Sequence, residues 1–243
     1  MNALEIKGLS RSFKNFELKD VSFVLPEGCI MGMVGENGAG KSTTIKLILN
    51  MLKKDSGEIK LFGKDFDDSV KEDVGAVLDD LGLPDCLDIK KTEKVMKGIF
   101  KNWESDTYFD LCQRLRIPYD KTIKEFSKGN RAKLAIVIAL SHRAKLLLLD
   151  EPFSALDYQT RLNVSEDIYT ILRKKHKSAI LVTHDIAEAI SFCDRILVMT
   201  HRPGTVKEVV SIELSLKEKT PLKARSAKEF QDYFNRLWGD LND

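Results

Sequence analysis

Apolar positions along this chain follow two periods, and the places where one gives way to the other divide it into segments. Alternation at Leu4, Ile6 and Gly8, and again at Val21, Phe23 and Leu25, predicts two strands, with Pro26-Glu27-Gly28 as a turn after the second. An antiparallel β unit is therefore expected at the start. A short apolar run, Cys29 to Val34, leads into Gly35-Glu36-Asn37-Gly38-Ala39-Gly40; helical spacing then follows at Ile45, Ile48, Leu49 and Leu52, giving strand, loop and a helix over 41–52. From Leu83 to Ser141 the spacing is helical, with one stripe of Val95, Met96, Ile99, Phe100 and Trp103 and a second of Tyr108, Leu111, Cys112 and Leu115.

Strands and helices then alternate. A buried strand over 145–149, a helix over 158–174, a second buried strand over 179–183 and a helix over 186–192 make the pattern of a mainly parallel sheet. Ile196 to Met199 and Val206 to Leu214 read as closing strands joined by a turn at Pro203-Gly204. The tail from Ser226 to Leu241 reads as an amphipathic helix that opens on a capping box, Ser226-Ala227-Lys228-Glu229. Its face of Phe230, Tyr233, Phe234, Leu237 and Leu241 suits packing on its own domain, with a partner surface as the alternative. The expected organisation is one α/β domain. Residues 1–82 and 142–214 form a core with an antiparallel β subdomain, 83–141 an inserted helical subdomain, and 215–243 a C-terminal amphipathic helix.

Composition narrows the function classes. At 243 residues the chain is too short for two full domains and long enough to build a core without staples. Its 39 basic and 37 acidic residues leave a net charge of +2, too weak a field to argue for nucleic acid. Cys29, Cys86, Cys112 and Cys193 are widely spaced, with no CxxC pair, so neither a disulfide framework nor a zinc site is expected. The N-terminus lacks a basic start followed by an apolar stretch, and no apolar run approaches the ~20 residues of a spanning helix, so the expectation is a protein of the cytoplasm.

Chemistry concentrates in two places. Gly35 to Ser42 fits GxxxxGK[ST], in which glycines let successive backbone N–H groups turn onto phosphate oxygens at the start of a helix. Lys41 would reach the β and γ phosphates, and the Ser42 hydroxyl would bind Mg²⁺. Leu146 to Leu149 end in Asp150-Glu151, two carboxylates at the end of a buried strand, where ligands gather in open α/β sheets. Asp150 would hold Mg²⁺ through water; Glu151 would polarise the water that attacks the γ phosphate.

Between them lies Phe126-Ser127-Lys128-Gly129-Asn130, which by itself reads as a helix cap. Standing 23 residues before Asp150, it resembles the LSGGQ signature of ATP-binding cassette ATPases, matching at Ser127 and Gly129 and departing at Phe126, Lys128 and Asn130. The resemblance extends over roughly residues 3 to 200: Ser154-Ala155-Leu156-Asp157 is similar to the D-loop, and His184 to the switch histidine that contacts the γ phosphate.

That resemblance implies a P-loop NTPase of RecA-like mixed-sheet core, hydrolysing MgATP. Gly35, Asn37, Gly38, Ala39 and Gly40 would wrap the phosphates, with Lys41, Ser42 and Thr43 at the helix start. Phe13 would stack on adenine, core burial being the alternative, and Ser127 and Gly129 would close over ATP held by a second protomer in a head-to-tail pair. Glu151, His184 and Lys41 would be catalytic. Asp79 falls where the family usually has a glutamine that touches metal and attacking water, and is read as a metal residue beside Ser42 and Asp150; a purely surface role is its alternative.

Transmembrane permease subunits are the implied partners, reached at the inner face of the cell membrane, and the second cassette is either another copy or a relative. Asp79 with residues 126–130 resembles peptide and antibiotic exporters, whereas residues 150–157 and the tail after His184 resemble nitrate, sulfonate and taurine importers; the reading favours export. Rival readings are a soluble cassette ATPase acting outside transport, which usually carries coiled-coil insertions or two cassettes, and a GTPase, for which no NKxD motif is present.

Overall fold

The computed structural model describes residues 1–78 and 81–242. Two sheets organise them. In the smaller, β1 (Asn2–Phe13) pairs antiparallel with β2 (Phe16–Pro26) on one side and β4 (Ser56–Leu61) on the other. In the larger the order is β5 (Val74–Val77), β6 (Leu146–Asp150), β7 (Ser178–Val182), β3 (Ile30–Gly35), β8 (Arg195–Met199), β9 (Val206–Ser211). All its pairings are parallel except β8 with β9.

Alternation along the parallel strands splits the core in two. Leu147, Leu149, Ala179, Leu181, Ile196 and Val198 join one apolar cluster, while their sequence neighbours Leu146, Leu148, Ile180, Val182, Leu197 and Met199 join the other. Successive strand side chains point to opposite faces, so a strand buried on both sides must be apolar at every position. One face is covered by β1, β2 and α1 (Lys41–Ile48). The other carries the helices α4 (Ser105–Arg114), α5 (Lys128–Ser141), α6 (Tyr158–Lys174), α7 (Ile186–Phe192) and α9 (Phe230–Asn242). A short helix, α2 (Asp68–Lys71), precedes β5, and the helical segment also includes α3 (Ile89–Ile99); Trp103 stacks with Phe100 and tilts against Tyr108, so it and Phe109 pack on the core.

Three boundaries differ from the sequence expectation, each for a local reason. The helix expected over 41–52 stops at Ile48, because Asn50 takes a left-handed φ of 55° and the N–H groups of Met51 and Leu52 fold back onto the Lys46 carbonyl. Strand β9 stops at Ser211, where the chain turns to hand the Glu213 N–H to the Tyr233 hydroxyl. The tail helix starts at Phe230, not Ser226. Ser226 sits behind a short helix, α8 (Pro221–Ala224), and donates its hydroxyl to the Lys223 carbonyl. Glu229 takes the N–H and hydroxyl of Ser215, whose hydrogen bonds hold its carboxyl down to about 2. No capping box forms there; one forms between Thr122 and Glu125, which the sequence reading did not single out.

The apolar face of α9 packs on the core, with Leu237 fully buried and Phe230, Tyr233, Phe234 and Leu241 around it. Leu237→Ala is therefore expected to cost about 2–5 kcal/mol in urea unfolding at unchanged m-value. A loss under about 1 kcal/mol would detach this helix from the core.

Candidate functional site

Strand β3 lies between β7 and β8 and ends at Gly35, so residues 36–40 emerge at the carboxyl edge of the sheet before α1 begins. Gly40 caps α1 at φ 98°, and a Cβ there would stand 2.8 Å from both Leu18 Cδ1 and Phe16 Cζ. Only glycine fits that combination of left-handed backbone and close packing. Inside the loop, the Lys41 ammonium donates to the carbonyls of Gly35 (2.7 Å) and Glu36 (2.9 Å). Burial pushes its pKa down, and the nearby Glu151 and Asp150 carboxylates push it back up. A charge held this way is desolvated yet within reach of an incoming anion, and its two carbonyl bonds are exchangeable for stronger ones to phosphate.

The next strand over supplies acid. Ser42 donates its hydroxyl to Asp150 Oδ1 at 3.1 Å, a pairing of hard oxygen donors that suits Mg²⁺. Glu151 follows at φ 47°, its N–H bound to the Val182 carbonyl, and the Ser154 hydroxyl donates to the Glu151 carbonyl. His184, just beyond β7, brings Nδ1 to 3.3 Å from Glu151 Oε1. Lys41, Ser42, Asp150, Glu151 and His184 thus converge from three strand ends, although 143 positions separate the first from the last.

Phe13 stands apart from the core. It is 40% exposed at the end of β1, with its ring 6.1 Å from that of Phe16 and the Arg11 guanidinium over it at 5.2 Å. Both phenylalanines line an open cleft of about 410 Å³ whose far wall is Arg202 and Pro203. Sequence reasoning reached Phe13 and missed Phe16, Arg202 and His201; no signal along the chain connects a turn near residue 200 to a strand near residue 13.

Ser127 caps α5 and Gly129 lies in its first turn. The Ser127 hydroxyl accepts the Asn130 N–H at 3.2 Å, so the cap reading of this segment is real, and Gly129 packs against Leu156 and Ala155. Lys128 and Arg131 face a groove of about 570 Å³ that Asp150, Glu151 and Ala155 also line. Asp157 caps α6 by accepting the Thr160 N–H at 3.0 Å, and bonds from Thr160 lower its pKa. Asp79, expected as a metal residue, lies outside the described residues. Among the described residues no helix is long and apolar enough to cross a membrane, and no group of three or more His, Cys, Asp and Glu side chains is placed to hold a metal unaided.

Comparison with known proteins agrees with this arrangement. The ABC transporter family model matches residues 18–154, which include the phosphate loop, Ser127 and the two carboxylates. The ABC transporter ATP-binding protein YtlC of Bacillus subtilis is 30% identical over 234 residues, covering 94% of this chain and 90% of the relative. The aliphatic sulfonates import ATP-binding protein SsuB 2 of Agrobacterium fabrum is 34% identical over 230 residues, covering 94% and 85%. Among solved structures, the ATP-binding subunit of an ABC transporter superposes with a TM-score of 0.79 at 24% identity, covering 99% of this chain and 100% of that one, a likeness of fold. Phosphate loop, strand-end carboxylates, family match and end-to-end relatives agree: the chain belongs to the ABC transporter ATP-binding family and is an ATP hydrolase.

Proposed function

We propose that two copies of this chain, or this chain and a relative, bind MgATP at a head-to-tail interface and use its hydrolysis to drive a membrane permease. The observation that carries the proposal is the convergence of Lys41, Ser42, Asp150, Glu151 and His184 at one edge of the sheet. Residues 35–43 would wrap the triphosphate. Phe13 would take the adenine and Lys41 the β and γ phosphates; Ser42 and Asp150 would hold Mg²⁺, whose bound charge offsets that developing on the phosphates. Asp79 would stand at the same metal. Glu151 would accept the proton of the attacking water, with His184 holding that carboxylate and meeting the γ phosphate.

Ser127 and Gly129 serve the other protomer's nucleotide in this reading. A helix N-terminus capped by a serine, as at α5, presents N–H groups suited to phosphate oxygens. Ser127→Arg is expected to abolish ATP-dependent dimerisation of the Glu151→Gln protein while leaving monomer affinity for ATP within about twofold, as light scattering and calorimetry would register. A dimer that still forms with ATP contradicts the composite site.

Direction of transport has two supports. Export rests on Asp79 and residues 126–130. Import is favoured by whole-chain likeness to proteins named for it, the sulfonate importer at 34% identity and a nitrate import protein, NrtD of Synechocystis, at 29% over 96% of this chain. The second covers far more of the molecule, and we take import of a small anion as the leading reading, with the ATPase peripheral on the cytoplasmic face of the membrane. Co-purification with a permease and a solute-binding protein supports import. A permease that drives ATP-dependent uptake of peptide into inverted vesicles without a binding protein supports export.

A further inference from the structure

We infer that His201 is a positioning residue that stands outside the phosphate loop and masks the Glu36 carboxylate from the bound triphosphate. The inference rests on the phosphate-loop reading of residues 35–42. Glu36 is an acid inside a loop that must close around a polyanion, which is the wrong sign for the task. Its carbonyl is also the loop's hub, accepting from Lys41 Nζ at 2.9 Å and from the Ala39 N–H at 3.1 Å.

His201 is placed to do this. Its Nδ1 lies 3.5 Å from Glu36 Oε2. The other ring nitrogen faces Gly38, where φ is 88° and where even a Cβ would come within 3.2 Å of Nε2. Imidazole thus abuts the loop at its bend and at its acid together.

The turn that carries it is built rather than loose. Thr200 Oγ1 accepts the Thr205 N–H at 3.0 Å and donates to the Pro203 carbonyl at 2.8 Å. Gly204 donates to the Glu17 carbonyl at 2.8 Å and accepts the Lys19 N–H at 2.9 Å, which tethers the turn to β2. A ring on such a mount holds its position at little entropic cost on nucleotide binding. Held there, the polar edge of the ring faces the Glu36 carboxylate and draws its charge away from the loop.

Calorimetry of the full chain with MgATP at low ionic strength tests this. His201→Ala should raise Kd roughly threefold to tenfold, an effect that shrinks as salt screens the exposed acid, with kcat at saturating ATP changed less than about twofold. Glu36→Gln added to His201→Ala should restore wild-type affinity, because the charge to be masked is gone. His201→Leu, which removes the donor at comparable bulk, carries the same test should the alanine variant fold poorly. Wild-type affinity in both His201 variants overturns the inference, as does a double variant that stays as weak as His201→Ala, since that marks His201 as mere packing. Wild-type protein that binds no ATP overturns the phosphate-loop reading itself. Binding lost in Lys41→Ala but untouched at His201 overturns this inference alone.

Discussion

Glu151→Gln is expected to lower ATP turnover by about 10²- to 10⁴-fold while leaving MgATP bound. The amide has nearly the volume of the carboxylate, so the backbone at φ 47° and the contact with His184 at 3.3 Å are not asked to change. What it loses is the capacity to accept a proton. Because the groups proposed to bind phosphate, Lys41 and the loop amides, lie at the junction of β3 and α1 rather than on β6, affinity should survive, and nucleotide that is bound but not hydrolysed should accumulate a closed pair. Single-turnover hydrolysis checks the first half, and size-exclusion chromatography with ATP checks the second. Hydrolysis at the wild-type rate removes Glu151 from its role, and Asp150, one position earlier, becomes the residue to test.

Lys41→Ala should weaken ATP binding by about 10- to 100-fold, the equivalent of one or two charge-assisted hydrogen bonds to phosphate. Lys41 is buried, its ammonium held by the Gly35 and Glu36 carbonyls. Those bonds keep a desolvated cation aimed into the loop, so little reorganisation is needed when phosphate arrives. Removing the side chain also strips two carbonyls of their donor, and a modest fall in Tm should accompany the loss of affinity. Melting without ATP separates that structural cost from the binding effect. Equal calorimetric affinity for wild type and variant would count against the loop assignment.

Particular residues mark how far the sequence could be read. Tyr158–Lys174 and Ile186–Phe192 form helices over the whole spans that the strand–helix alternation indicated. In both, an aspartate just before the helix, Asp157 or Asp185, accepts an N–H from its first turn. Signals of that kind are local, and local chemistry is written in neighbouring residues. Ser226 to Glu229 show the opposite case: the four residues spell a capping box, but Ser215, fourteen positions before Glu229, takes its carboxylate, and a tertiary hydrogen bond prevails over a local motif. Phe13 could be read either as core or as an exposed platform, since an aromatic at a strand end satisfies both; the arrangement of β1 beside the turn at 200–205 decided for exposure.

What the sequence determined by itself is the glycine-rich loop before α1, the paired acids at a strand end and the βα alternation that puts them on one sheet, because glycine spacing, strand burial and helix capping are each fixed by contiguous residues. The strand order was decided by the tertiary structure. Sliding β7 between β6 and β3 sets His184 against Glu151, and pairing β9 with β8 carries His201 to the outside of the loop that Lys41 fills. Such neighbours meet only when distant apolar strands share two cores, and the free energy that selects their order is summed over both cores and resides in no single stretch of the chain.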